Sequence, residues 1–151
     1  MKKFIGILFL LYLVTSCKEN INSYSMIAKK IEKECNETQS CKINIKDLVN
    51  IAWDKMYVFK EGVSLEQINQ VIGFEYTYFE DIAKRIIFVK GKEVVLHEDE
   101  FPGVESAKNG ELIFNIGDSV MFKGYSPDEA IFNVQKIEFS KGSYFELTQV
   151  K

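Results

Sequence analysis

The chain has 151 residues, 46% of them hydrophobic and 13% aromatic, with 19 basic side chains against 22 acidic ones and a formal charge of −3. That length suits one domain with one sizeable core. The acidic balance and the scatter of the charges exclude the concentrated basic face that nucleic-acid binding needs, and they argue against adsorption to anionic lipid.

The chain opens MKKFIGILFLLYLVTSC. Lys2 and Lys3 form a short positive segment, and Phe4 to Val14 is an uncharged apolar run of eleven residues. A membrane-spanning helix needs about 20, so the pattern predicts a secretory signal peptide. Its end, Val14-Thr15-Ser16-Cys17, resembles the lipobox of bacterial lipoproteins: an aliphatic residue, two small residues, then Cys. The resemblance implies cleavage between Ser16 and Cys17 and a thioether-linked diacylglycerol on Cys17. Two or more acyl chains, palmitate among them, anchor stably because each buried CH₂ contributes about 0.8 kcal/mol. Lys18-Glu19-Asn20 follows. Position 18 lacks the Asp that marks inner-membrane retention in many relatives of that type, which implies an outer-membrane address. Lysine followed by acid is also similar to the surface-export tag of some bacterial groups, usually with more acids, so the leaflet stays open.

Removal of residues 1–16 takes two lysines and leaves 135 residues, with 17 basic and 22 acidic side chains and a charge of −5. Residues 17–23 read as a lipidated tether and 24–151 as a single domain. Tyr24 to Glu34 reads as a helix, with Ile27, Ala28 and Ile31 on one face and Lys29, Lys30, Glu32 and Lys33 on the other. Cys35 and Cys41 then stand with five residues between them in CNETQSC. In an exported chain such a pair tends to oxidise; closing so small a loop stabilises by about 2 kcal/mol. Free thiols are the second reading. A metal site would need nearby His or more Cys, and redox pairs favour C-x-x-C.

Ile43 and Ile45 suit a short strand or its lead-in. WDKMYVF, residues 53–59, is apolar on both faces and reads as a central strand. Ser64 and Gln67 form a capping box, Leu65, Ile68, Val71 and Ile72 an apolar stripe, and Gly73 a C-terminal cap, so this segment reads as a helix. FEYTYFEDI, residues 74–82, reads as an aromatic loop packed onto the sheet. Arg85 to Val89 and Glu93 to His97 read as a hairpin through Lys90-Gly91-Lys92, and residues 103–110 as a loop. Glu111 to Asn115 and Val120 to Phe122 read as a pair around Gly117-Asp118. Ser126-Pro127-Asp128-Glu129 reads as a turn or a single helical turn, and Ile131 to Phe139 with Tyr144 to Val150 as a last hairpin. The expectation is an α+β domain: two short N-terminal helices and a mostly antiparallel sheet of about seven strands.

No catalytic constellation stands out. His97 is the single histidine, beside Glu98, Asp99 and Glu100. A metal site drawn from Glu93, His97 and Asp99 is weak chemistry for zinc, and HEDEFPG lacks calcium-loop spacing; a solvated acidic strand end is the expectation, with no metal and no cofactor. Gly117-Asp118-Ser119 resembles the nucleophile block of one serine hydrolase family, but that family's histidine follows the serine, and here none follows residue 97. A tight turn accounts for Gly-Asp. A paired-carboxylate hydrolase acting on cell wall, glycan or peptide is the alternative class, with no pair singled out among the acids. Most of the aromatics suit the core. Tyr76 and Tyr78 alternate with Glu75 and Thr77 and are the candidates for an exposed binding surface.

The capped helix ending at Ile72-Gly73 and followed by an antiparallel meander is similar to that of small outer-membrane assembly lipoproteins and β-lactamase-inhibitor proteins. The similarity spans about ten residues and implies a binding module with a curved sheet. The expectation is a lipid-anchored, non-catalytic binding protein of the cell envelope, attached to the membrane through Cys17, with an envelope protein as partner and no nucleic acid.

Overall fold

A computed structural model describes residues 23–35, 40–100, 111–140 and 142–150. Residues 1–22, with Ser16 and Cys17, and the segment 101–110 lie outside them. The elements in chain order are α1 (Ser23–Glu34), β1 (Ser40–Asn44), α2 (Ile45–Leu48), β2 (Lys55–Phe59), α3 (Leu65–Ile72), β3 (Lys84–Lys90), β4 (Glu93–Glu100), β5 (Glu111–Asn115), β6 (Phe122–Tyr125), β7 (Ile131–Phe139) and β8 (Gly142–Gln149).

The class is α+β, but the described strands form two four-stranded sheets, ordered β1-β7-β8-β5 and β4-β3-β2-β6. Three helices are described rather than two, because Ile45 begins a short turn of helix capped by Asn44 instead of extending the strand. β5 and β6 do not pair. β5 runs parallel to β8, with Glu111 opposite Tyr144, while β6 joins β2 in the other sheet. Gly117, at φ 92°, turns the chain between the two sheets, and Leu112, Phe114 and Ile116 stay buried along the way.

The two sheets enclose the main core. Phe132, Val134, Phe145 and Leu147 of the first meet Met56, Val58, Ile86 and Phe88 of the second. Ile27, Ala28 and Ile31 of α1 join this core, and α1 lies against β4 and β5. The Cys35–Cys41 disulfide, with Cα atoms 5.5 Å apart, ties the end of α1 to β1. Trp53 precedes β2 and buries its ring edge-on against Phe88 at 5.3 Å. The next residue, Asp54, accepts the Gly91 amide of the β3–β4 turn at 2.7 Å.

A second apolar layer covers the outer face of the second sheet. Ile68 and Ile72 of α3, with Val63 and Tyr76, pack on Phe59, Ile87 and Val89. This explains why β2 and β3 are apolar on both faces. α3 begins and ends as its sequence requires. The Gln67 amide donates to Ser64 Oγ at 3.2 Å and the Ser64 amide donates to Gln67 Oε1 at 3.0 Å. Gly73 closes the helix at φ 84°. The β3–β4 and β7–β8 hairpins form as expected. Ser126–Glu129 is a turn in which the Ser126 amide and hydroxyl both donate to Glu129 Oε2.

Candidate functional site

Directly after α3 the chain crosses the outer face of the second sheet as a loop, residues 74–83, which meets the only described charged side chain that is fully buried, Arg85. Arg85 is the second residue of β3, on the face shared with Ile87 and Val89, and the β3–β4 register sets Asp99 opposite it and His97 opposite Ile87. A guanidinium at 1% exposure needs partners. It has an ion pair to Asp99 Oδ2 at 3.2 Å, a hydrogen bond from Nη2 to the Glu80 carbonyl, and two aromatic faces, Phe79 at 4.7 Å and Tyr76 at 5.6 Å. The loop is also held from α3, where Asn69 Oδ1 accepts the Tyr76 amide at 2.7 Å.

Aromatic rings extend the cluster outward. Tyr78 stacks on His97 with centroids 4.2 Å apart and planes 25° apart. Tyr76 stands edge-on to both, at 5.8 Å and 6.0 Å. The two candidate tyrosines therefore part company. Tyr78 is 49% exposed, whereas Tyr76 is 1% exposed and serves as the inner wall against Arg85. The expected exposure of Tyr76 fails because the segment is a loop folded around a buried cation, not a strand with one wet face. The expected solvated acidic strand end fails at His97 and Asp99 for the same reason: the loop covers them, and the Asp99 side chain is only 11% exposed.

Burial dominates the electrostatics. It pushes the Asp99 carboxyl up to about 6, although Arg85 pulls the other way, while the Glu80 carboxylate adds to the rise. Desolvation outweighs a single charge partner here. Burial also raises the Tyr76 phenol well above its usual value, with the Asp99 charge reinforcing it. Burial lowers His97, and the Arg85 guanidinium lowers it further. Tyr76 Oη, Arg85 Nη1, His97 Nδ1 and Asp99 Oδ1 are buried without a hydrogen-bond partner among the described residues. The cluster thus pairs a fixed cation with a carboxyl that titrates near neutrality, under an exposed aromatic stack.

A separate cleft of about 180 Å³ opens between the end of β2 and β5, lined by Val58, Phe59, Leu112 and Phe114, with Lys60 and Lys84 at its sides. Both lysines are engaged: Lys60 Nζ donates to the Gly117 and Asp118 carbonyls at 2.6 Å and 3.2 Å, and Lys84 pairs with Glu111 at 3.4 Å. Gly117-Asp118-Ser119 is a turn between sheets, latched by Lys60. Glu93 does not join His97 and Asp99 at a metal centre; among the described residues no group of three or more His, Cys, Asp or Glu side chains is placed to hold an ion. No described helix is long and apolar enough to cross a membrane. Sequence reasoning missed Arg85, although a lone arginine heading the apolar run RIIFV was the available signal. No protein-family model, curated protein or solved structure matches the chain.

Proposed function

We propose that this chain is an exported lipoprotein of the bacterial cell envelope, anchored through Cys17 in the outer membrane, and that its domain acts as a non-catalytic binding module. The lipobox-like Val14-Thr15-Ser16-Cys17 supports the anchor. The single observation that carries the binding reading is the Tyr78–His97 stack, half exposed and braced from beneath by Arg85 and Asp99. Large rings held rigid at a surface supply contact area at low entropic cost. The disulfide that ties α1 to β1 suits a domain working in an oxidising compartment. The experiment is affinity purification of the C-terminally tagged chain from detergent-solubilised membranes of its own host. One dominant partner at near-equal amount supports the reading; a chain recovered alone and monomeric overturns it.

A further inference from the structure

We propose that the loop between α3 and β3 is a preorganised recognition loop that presents Tyr78 and Ile82, alongside the exposed acids Glu75, Glu80 and Asp81, to a protein whose own surface is an apolar pocket flanked by Lys or Arg. This rests on the binding-module reading and names its surface and the chemistry of its partner.

Three independent features converge on this segment. First, among the described residues the two most exposed large hydrophobic side chains are Ile82, at 62%, and Tyr78, at 49%, and both belong to this loop. Isolated exposed apolar side chains are ordinary; two on one short loop, one of them stacked on a histidine, form an anchor of the kind that dominates interface energetics.

Second, the loop is fixed before any partner arrives. Its members Tyr76 and Phe79 are turned inward onto Arg85, its Glu80 carbonyl accepts from Arg85, and its Tyr76 amide is held by Asn69. Ile82 sits at φ 65°, a conformation that β-branched residues rarely adopt, with its amide donating to Asp81 Oδ1 at 2.9 Å. The Ile82 side chain takes no part in the apolar layer beneath α3 and stands exposed. Strained backbone that persists is held by its surroundings, and it concentrates at sites that clamp ligands. A loop already in place avoids the ordering cost of association.

Third, the charge is of one sign. Residues 74–83 contain Glu75, Glu80 and Asp81 and no Lys or Arg, and all three acids are exposed. This acidic loop disfavours an anionic lipid surface or a nucleic acid and favours a cationic rim, since complementary potentials steer encounter and exclude wrong partners.

The test is site-specific photocrosslinking in the intact host, using the full-length chain. p-Benzoylphenylalanine replaces Tyr78 or Ile82 in turn, and Asn133 or Gln135, exposed on β7 of the other sheet, as controls. The proposal expects one protein to crosslink from positions 78 and 82 at least tenfold more than from 133 and 135. The crosslinked peptide of that protein maps beside Lys or Arg. Glu75→Lys combined with Glu80→Lys lowers the yield at least tenfold with the far-ultraviolet circular dichroism unchanged, whereas Asp118→Lys leaves the yield intact. A crosslink to lipid, a partner site without basic residues, or a yield indifferent to the double charge reversal overturns the assignment of the loop. Capture from 133 and 135 but not from 78 and 82 overturns the loop and keeps the binding module. Capture from no position overturns both.

Discussion

Removing Asp99 and removing Arg85 are not equivalent, and the difference tests the account of the buried cluster. Asp99→Ala leaves the Arg85 guanidinium, with 2% of its side chain exposed, without its carboxylate. Arginine cannot shed its charge, so at pH 7.5, where Asp99 is ionised, the loss approaches the 3–5 kcal/mol typical of breaking a buried pair. Arg85→Met strands Asp99 instead. That carboxyl already titrates at about 6, so it escapes by taking up a proton, and the remaining penalty is the lost Glu80 and aromatic contacts, on the order of 2 kcal/mol. The double variant Arg85→Met/Asp99→Leu removes both charges and should lie within about 1 kcal/mol of the parent or above it. The assay is urea unfolding followed by the single tryptophan, Trp53, which is buried against Phe88, at pH 5 and pH 7.5. Asp99→Ala should be the least stable at pH 7.5, where Asp99 is ionised, and Arg85→Met should recover at pH 5. An Asp99→Ala cost below about 1 kcal/mol at pH 7.5, or equal costs for the two single variants at that pH, would refute the reasoning.

The parent's pH dependence carries two opposite contributions. The raised Asp99 carboxyl contributes stability that is full below about 3.8 and lost as pH rises through about 6, up to about 3 kcal/mol in all; the lowered His97 contributes stability present above 6.5 and lost as pH falls through its depressed value. Asp99→Asn should therefore abolish the fall in stability between pH 4 and 6, measured by thermal melts across that range. Reducing the Cys35–Cys41 bond should cost about 2 kcal/mol and speed amide exchange in α1 ahead of the β3–β4 hairpin, as read by hydrogen–deuterium exchange. Ser64→Ala removes the α3 cap and should cost about 1 kcal/mol in urea unfolding. Gly124→Ala drives a Cβ to 2.9 Å from the Tyr57 ring and should cost roughly 1–3 kcal/mol in the same assay, relieved by Tyr57→Val.

Elements with complete local signals were legible in the sequence. α3 announces itself through Ser64, Gln67 and Gly73, and the β3–β4 hairpin through two apolar runs around Lys90-Gly91-Lys92. The division into two sheets was not legible, because alternation shows which face of a strand is buried but not which strand lies beside it. ELIFN looks the same whether it pairs with a neighbour or runs parallel to the distant β8. Simple alternation is also broken locally along β4. A register shift opposite Phe88 and Val89 sends Val95 to the main core and leaves Val94 under α3. The site itself was half visible. The sequence places the aromatic loop on the sheet, yet what draws it there is Arg85, whose partner Asp99 stands 14 residues away and becomes its neighbour only through the hairpin register.

The whole account depends on a domain held at a membrane by Cys17, and the most direct test is the mass of the N-terminal peptide of the full-length chain after expression in its host. The account predicts a peptide beginning at Cys17 and carrying a diacylglycerol thioether, converted by Cys17→Ser to an unlipidated form absent from the membrane fraction. An unmodified Cys17, or a chain that retains Met1, would contradict it.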